Sequence, residues 1–293
     1  MIDSFLKHLQ FEKRLSPHTV LAYQIDLFQF RDFLLKRSPE TKIEAADYTL
    51  IRTWIVSLIE SGIGASSVNR KIACLRTFYK HLMRQETITN DPMRKISVLK
   101  TKKRLPGFVK EDDMVNLLDN HSFEETFEGQ RDQLILEIFY GTGIRLSELI
   151  NLKERAIDLV SRTMKVLGKR NKERVIPFSQ GLVPLIEKYV ETRNREVERR
   201  DHGHLFVRKS GEVCYPAMIY KIVKKYLDKY PGIEKRSPHI LRHTYATHLL
   251  NKGADLNAVK DLLGHSSLAA TQVYTHNSME KLKKVFDQAH PKA

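Results

Sequence analysis

From Ser16 to Arg84 the apolar side chains recur at spacings of three and four, and this periodicity constrains the chain more than any other feature. In "SPHTVLAYQIDLFQFRDFLLK" the residues Val20, Tyr23, Leu27, Phe30 and Leu34 fall on one face of a helix. Ser16 is placed to cap that helix, and Pro17 takes its first position, where a missing N–H is harmless. "TLIRTWIVSLIES" predicts a second helix, ended by Gly62 and Gly64. "SSVNRKIACLRTFYKHLMRQ" predicts a third, with Val68, Ile72, Leu75, Phe78, Tyr79 and Leu82 as its apolar stripe. With a shorter helix from Ile2 to about Glu12 this makes a four-helix unit. Its exposed faces are expected to carry Arg70, Lys71, Arg76, Lys80 and Arg84, as a solvated surface or one lying against a DNA backbone. Cys74 lies in the apolar register and reads as a buried free thiol.

The pattern then breaks. "SVLKTKKRLPGF" holds four basic residues, a proline and a glycine without lasting periodicity, so residues 96–107 read as a basic linker between domains 1–95 and 108–293. Beyond it helix and strand mix. "FEGQRDQLILEIFYGTGIRLSELINL" predicts a helix to Tyr140, a turn through Gly141 and Gly143, and a new helix near Leu146. "TMKVLGKRNKERVIPFS" reads as a hairpin with its turn at Gly168 to Lys172, and "HLFVRKSGEVCYP" as a second, shorter one. "LVPLIEKYVETRNREVERR" is an amphipathic helix, and helices return from Ala217 to the C-terminus. The expected class is mainly α with small β hairpins, α+β, in two domains.

Lys and Arg total 50 against 35 Asp and Glu, an excess of +15, and 41% of residues are apolar. Such a chain attracts polyanions, and nucleic acid is favoured over a membrane surface because the basic residues do not gather on one amphipathic helix. No apolar run approaches a membrane span, and "MIDSFLKHLQFEKRLS" lacks the apolar core of a signal peptide. Two cysteines far apart in sequence, Cys74 and Cys214, make neither a metal motif nor a redox motif. A cytoplasmic location follows as the expectation.

"SPHILRHTYATHLL" places His239, Arg242 and His243 on one face of a helix, with His248 pointing elsewhere. A guanidinium beside imidazoles repels a dication and suits an anion: the fork grips two oxygens while a histidine donates or moves a proton. A buried helix with satisfied polar groups fits the same residues. Arg145 follows two glycines at a helix start, a place that favours anions, and Glu148 three positions on either orients it or is an ordinary helix carboxylate. Lys169 sits at a hairpin tip, His265 follows a glycine that can end a helix, and Tyr274 lies nine positions after His265.

Taken together, "GTGIRLSEL", "GKRNKER", "SPHILRHTYATHLL" and "LLGHSSLAATQVYTH" resemble the catalytic boxes of the tyrosine site-specific recombinases, in this order and at compatible separations. The match is closest to the bacterial Xer-type branch, whose core-binding helical domain "LSPHTVLAYQIDLFQFRDFL" resembles. The resemblance implies a two-domain, C-shaped clamp on DNA. It implies Arg145 and Arg242 on the scissile phosphate, His239 and His265 as active-site histidines, Lys169 on the hairpin, Tyr274 as nucleophile and Glu148 in support. His243 and His248 stay outside that set. It further implies a 3′-phosphotyrosyl intermediate without metal, cofactor or ATP, in Xer-type resolution of chromosome dimers. The partners implied are a double-stranded DNA recombination site, a homo- or hetero-tetramer on two paired sites, and a DNA translocase as an activator to be tested for. The location implied is nucleoid-associated. The segment "SMEKLKKVFDQAHPKA", with Met279, Leu282, Val285 and Phe286 as its stripe, is expected to dock on a neighbouring protomer or to pack on its own domain. A mobile-element integrase or transposase and, more distantly, a type IB topoisomerase share the chemistry.

Overall fold

The computed structural model describes residues 1–101, 107–168, 173–198, 203–230, 233, 236–264, 288–289 and 291. The chain divides into two compact units, Met1–Arg104 and Leu105–Ala293.

The first unit is helical. Helix α1 (Ile2–Lys7) runs on as a π turn over His8–Glu12 and is followed by α2 (Pro17–Arg37), α3 (Tyr48–Glu60) and α4 (Ala65–Arg84). Ser16 caps α2 by accepting from the Thr19 N–H, Pro17 opens the helix, and Asp47 caps α3 by accepting from the Leu50 N–H at 2.9 Å. Gly62, with φ +81, turns the chain out of α3 in a conformation other residues resist. All six stripe residues of α4 are buried against Leu27, Phe30 and Leu34 of α2 and Trp54 of α3, while Val20 and Tyr23 pack at the edge. The Cys74 thiol is buried there, 3.6 Å from the Tyr23 carbonyl, and burial pushes its pKa well up.

Three of the basic residues expected on the surface are not simply solvated. Lys71 is buried and its ammonium lies 2.8 Å from Asp26, which also holds Arg70; the helix turns 71 inward beside Ile72. Arg76 donates to the Ile96 carbonyl at 2.8 Å. Residues 96–99 also pack on this unit, because Ile96 and Leu99 join its core and Asn69 exchanges two hydrogen bonds with the Leu99 backbone.

In the second unit α5 (Glu111–Leu118) and α6 (Phe127–Thr142) precede the short α7 (Leu146–Ile150). Strands β1 (Ile157–Asp158), β2 (Thr163–Leu167) and β3 (Glu173–Pro177) form an antiparallel sheet in the order β1-β2-β3. Helices α8 (Leu182–Glu196), α9 (Pro216–Leu227), α10 (Pro238–Asn251) and α11 (Leu256–Leu263) follow. Helix α6 is buried nearly all round because α8 and α10 pack on it, so it shows no amphipathic stripe. It continues through Gly141 to Thr142, two residues past the expected end. The expected hairpin is β2–β3, with Met164 opposite Ile176 and Val166 opposite Arg174. The second one reduces to a single bridge, Val207 to Val213, closed by Gly211 at φ +84. Among the described residues no helix is long and apolar enough to cross a membrane.

Helix α10 is fastened by its far end. Thr244 accepts from the Val109 N–H at 3.0 Å, and His248 Nε2 donates to the Val109 carbonyl at 3.0 Å. Nδ1 of the same ring accepts from the Tyr140 hydroxyl at 3.0 Å. This uses both nitrogens of a neutral imidazole and makes His248 a structural residue.

Candidate active site

Two left-handed glycines shape the site. Gly143 ends α6 at φ +60, and a Cβ there would lie 2.5 Å from the Tyr245 ring, so both conformation and space demand glycine. Gly264 ends α11 at φ +63. Each turn exposes carbonyls that a continuing helix would have used, and such carbonyls attract cations.

Two guanidinium groups take them. Arg242 on α10 donates through Nη1 to the Gly143 carbonyl and through Nη2 to the Leu263 carbonyl at 2.7 Å. Arg145, immediately before α7, donates through Nη2 to the Gly264 carbonyl at 2.7 Å and through Nη1 to Glu148 Oε1 at 2.8 Å. A guanidinium has five N–H donors, so each fork is held by two and retains others for a ligand. The anion site expected at the helix start is differently built, since the Arg145 N–H is already taken by Glu148 Oε2 at 2.8 Å.

Glu148 is buried and carries a second arginine, Arg174 of β3, whose Nη1 and Nη2 both donate to it. Burial pushes the Glu148 carboxyl up, but the hydrogen bonds and charge of Arg174, with those of Arg145, outweigh it and hold the group below its usual range. Among the described residues two guanidinium groups therefore share one carboxylate, and the third, Arg242, feels only its charge. Arg242 records the imbalance: burial, then the charges of Arg145 and Arg174, push its pKa down to about 10, still protonated at neutral pH. Among the described residues the cluster is short of negative charge, an arrangement that suits an anion.

His239 is exposed one turn ahead of Arg242 on α10, and His243, next to Arg242, is half-buried. Lys169, His265 and Tyr274 lie outside the described residues, as does the C-terminal stripe from Met279 to Phe286. The sequence reading missed Arg174. Its signal was alternation: with Met164, Val166 and Ile176 facing the core, residue 174 must face it too, and a charge there needs a partner.

Comparison with known proteins places the chain in a family. Residues 108–281 match the model described as the phage integrase family, and residues 2–86 the phage integrase N-terminal SAM-like domain. The tyrosine recombinase XerC of Chlorobaculum parvum is 36% identical over 100% of this chain and 94% of its own length. That of Pelobacter propionicus is 38% identical over 100% and 95%. Among solved structures, the XerH site-specific recombinase bound to palindromic difH substrate superposes with a TM-score of 0.73 at 21% identity, covering 97% of this chain and 82% of that one. The Tn1549 transposon integrase in complex with transposon right end DNA gives 0.70 at 19%, covering 97% and 98%. These two show the shared fold. The full-length matches decide the family: the chain belongs to the phage integrase family, as a site-specific tyrosine recombinase of the Xer type.

Proposed function

We propose that the chain cuts and rejoins double-stranded DNA at a recombination site with Arg145 and Arg242 on the scissile phosphate and Tyr274 as nucleophile. The observation that carries this assignment is the pair of guanidinium forks anchored on the carbonyls of Gly143, Leu263 and Gly264, with donors to spare. The Tyr274 phenolic oxygen attacks phosphorus, its proton passing to His239 as general base. Charge builds on the non-bridging oxygens, where fixed forks stabilise it without having to reorganise. His265 is the second histidine on the phosphate. The bond from phosphorus to the 5′ oxygen breaks, and Lys169 supplies the proton that makes the leaving group a hydroxyl. The 3′-phosphotyrosyl bond conserves the energy of the phosphodiester, so rejoining needs no ATP. The electrophilic role belongs to arginine, and cleavage should persist in EDTA.

In this reading residues 1–95 are the core-binding domain, 96–107 the linker and 108–293 the catalytic domain. The enzyme works as a tetramer on two paired sites through its C-terminal helix, at the nucleoid, in the resolution of chromosome dimers, with a DNA translocase as a candidate activator. A nicked suicide substrate tests the chemistry. Wild type should form an SDS-stable adduct and Tyr274→Phe should bind without forming one; an adduct of normal yield in that variant overturns the assignment.

A further inference from the structure

Arg174 is a buried cation to which the cleavage chemistry above gives no task. It sits on β3, opposite Val166, with a side chain 6% exposed, and both of its terminal nitrogens are spent on Glu148. Glu148 is itself 1% exposed, and it holds Arg145 through a bond of 2.8 Å from Nη1 to Oε1. Its two oxygens are fully used. Oε1 accepts from Arg145 Nη1 and Arg174 Nη1, and Oε2 from the Arg145 backbone N–H and Arg174 Nη2. Four bonds fill the acceptor sites of a carboxylate and leave it one orientation.

A second contact closes the arrangement. A Cβ on Gly264 would fall 2.9 Å from Arg174 Cδ and 3.1 Å from its Nε, so the arginine stem packs on the residue whose carbonyl anchors Arg145. Arg174 thus touches both groups that aim Arg145, the carboxylate from one side and the glycine turn from the other. It also stands on β3, five residues after Lys169 in the sequence. Without it, Glu148 would be a buried carboxylate held by one partly exposed arginine, free to rotate or to take up a proton, and its hold on Arg145 would weaken.

We propose that Arg174 is a positioning residue for strand cleavage: it locks Glu148, and through Glu148 it sets the fork of Arg145 and ties the β2–β3 hairpin to the arginine cluster. The proposal rests on the role given above to Arg145. Misplacing a transition-state donor by a fraction of its reach lowers the rate of the chemical step while leaving the many other DNA contacts intact.

The test compares Arg174→Lys, Arg174→Met, Glu148→Gln and the double variant Glu148→Gln/Arg174→Met. Cleavage of a nicked suicide substrate at saturating protein, half-site affinity and melting temperature are read for each. Arg174→Lys keeps the charge but replaces two bonds by one, so it should fold and bind like wild type and cleave roughly 10-fold more slowly. Arg174→Met should be slower still, and the double variant no slower than the worse single one, since both changes break one unit. Wild-type cleavage by Arg174→Lys overturns the proposal, as does a double variant whose losses multiply. If Arg174→Met fails to fold, the lysine variant still decides. A wild type that forms no adduct sinks the catalytic reading and this inference with it, whereas an active wild type matched by its Arg174 variants sinks the inference alone.

Discussion

Each unit of the molecule buries a carboxylate between two cations, and these two clusters differ in what is left over. In the first unit Asp26 receives Arg70 Nη2 at 2.9 Å and Lys71 Nζ at 2.8 Å, and Gln29 takes another Lys71 proton. The set is a local one between α2 and α4, and half of the Arg70 side chain reaches solvent. In the second unit Glu148 receives Arg145 and Arg174, but among the described residues Arg242 has no carboxylate of its own and is fixed by carbonyls. Carbonyl dipoles orient a charge without neutralising it. The first cluster is complete as it stands. The second keeps guanidinium donors free for an anion, which fits the phosphate site proposed above, whereas the first joins two helices.

The largest effect should come from breaking the complete cluster. Asp26→Ala leaves Lys71, with a side chain 6% exposed, as an uncompensated buried cation, at a cost of about 3–5 kcal/mol in stability. Asp26→Leu/Lys71→Met removes both charges and should recover most of that loss. Denaturant unfolding measures both, and a loss below about 1 kcal/mol for Asp26→Ala would show that the cluster is not what joins α2 to α4. Next in size, Arg242→Ala should slow cleavage by roughly 100-fold or more, the penalty for losing a preorganised donor to transition-state charge. Half-site affinity should fall much less, because other phosphate contacts remain. Equal losses in binding and cleavage would reduce Arg242 to a positional contact and erase the distinction drawn here.

Sequence reading found the elements whose signal is local. The stripes of α2 and α4, the Ser16–Pro17 start and the β2–β3 pairing follow from periodicity and turn chemistry, which act over a few residues. It misjudged Lys71, because a lysine inside a helix reads as solvated unless its partner, 45 positions earlier, is known. Arg242 stood out by its spacing from His239 and His243 and Arg145 by its place after two glycines, while the roles expected of them and of Glu148 came from the resemblance of the motifs. How the arginines are held was hidden, since the anchors are backbone carbonyls of Gly143, Leu263 and Gly264, and any sequence carries carbonyls. Arg174 lay in plain view at a core-facing strand position. A two-residue strand such as β1 has too few side chains to show alternation.

A smaller effect, on α10 itself, contrasts a satisfied polar group with Arg242 six positions away. Burial, with Lys252 adding to it, pushes the His248 pKa below its ordinary 6.5, against the opposing pull of Glu111 and the Val109 carbonyl. A folded pKa below the unfolded one means that the native state prefers the neutral ring. That stability is present above pH 6.5 and is lost as the pH falls through the lowered value. Protonation would also end the bond that Nδ1 accepts from Tyr140. His248→Gln should lower the melting temperature by roughly 2–5 °C at pH 7.5, the scale of one buried hydrogen-bonded pair in a unit of this size. The gap from wild type should narrow towards pH 5. A gap that stays constant with pH would mean that the ring is not held neutral.

The smallest effect sharpens the comparison most. Arg70→Gln removes one of the two cations on Asp26, as Arg174→Met removes one of the two on Glu148. The Arg70 side chain is 48% exposed, so water and salt screen its pair, and Lys71 still compensates the buried carboxylate. The expected cost is about 0.2–1 kcal/mol, falling further at high salt, with no change in the cleavage rate at saturating DNA. The Arg174 side chain is 6% exposed, and its loss acts through a carboxylate that also holds Arg145, so there the chemical step should slow. Denaturant unfolding of Arg70→Gln at low and high salt, set beside single-turnover cleavage by both variants, reads the two clusters on common scales. A loss above about 2 kcal/mol for Arg70→Gln would mean that Lys71 cannot carry Asp26 alone. A matching drop in cleavage would mean that the first cluster, too, takes part in the reaction.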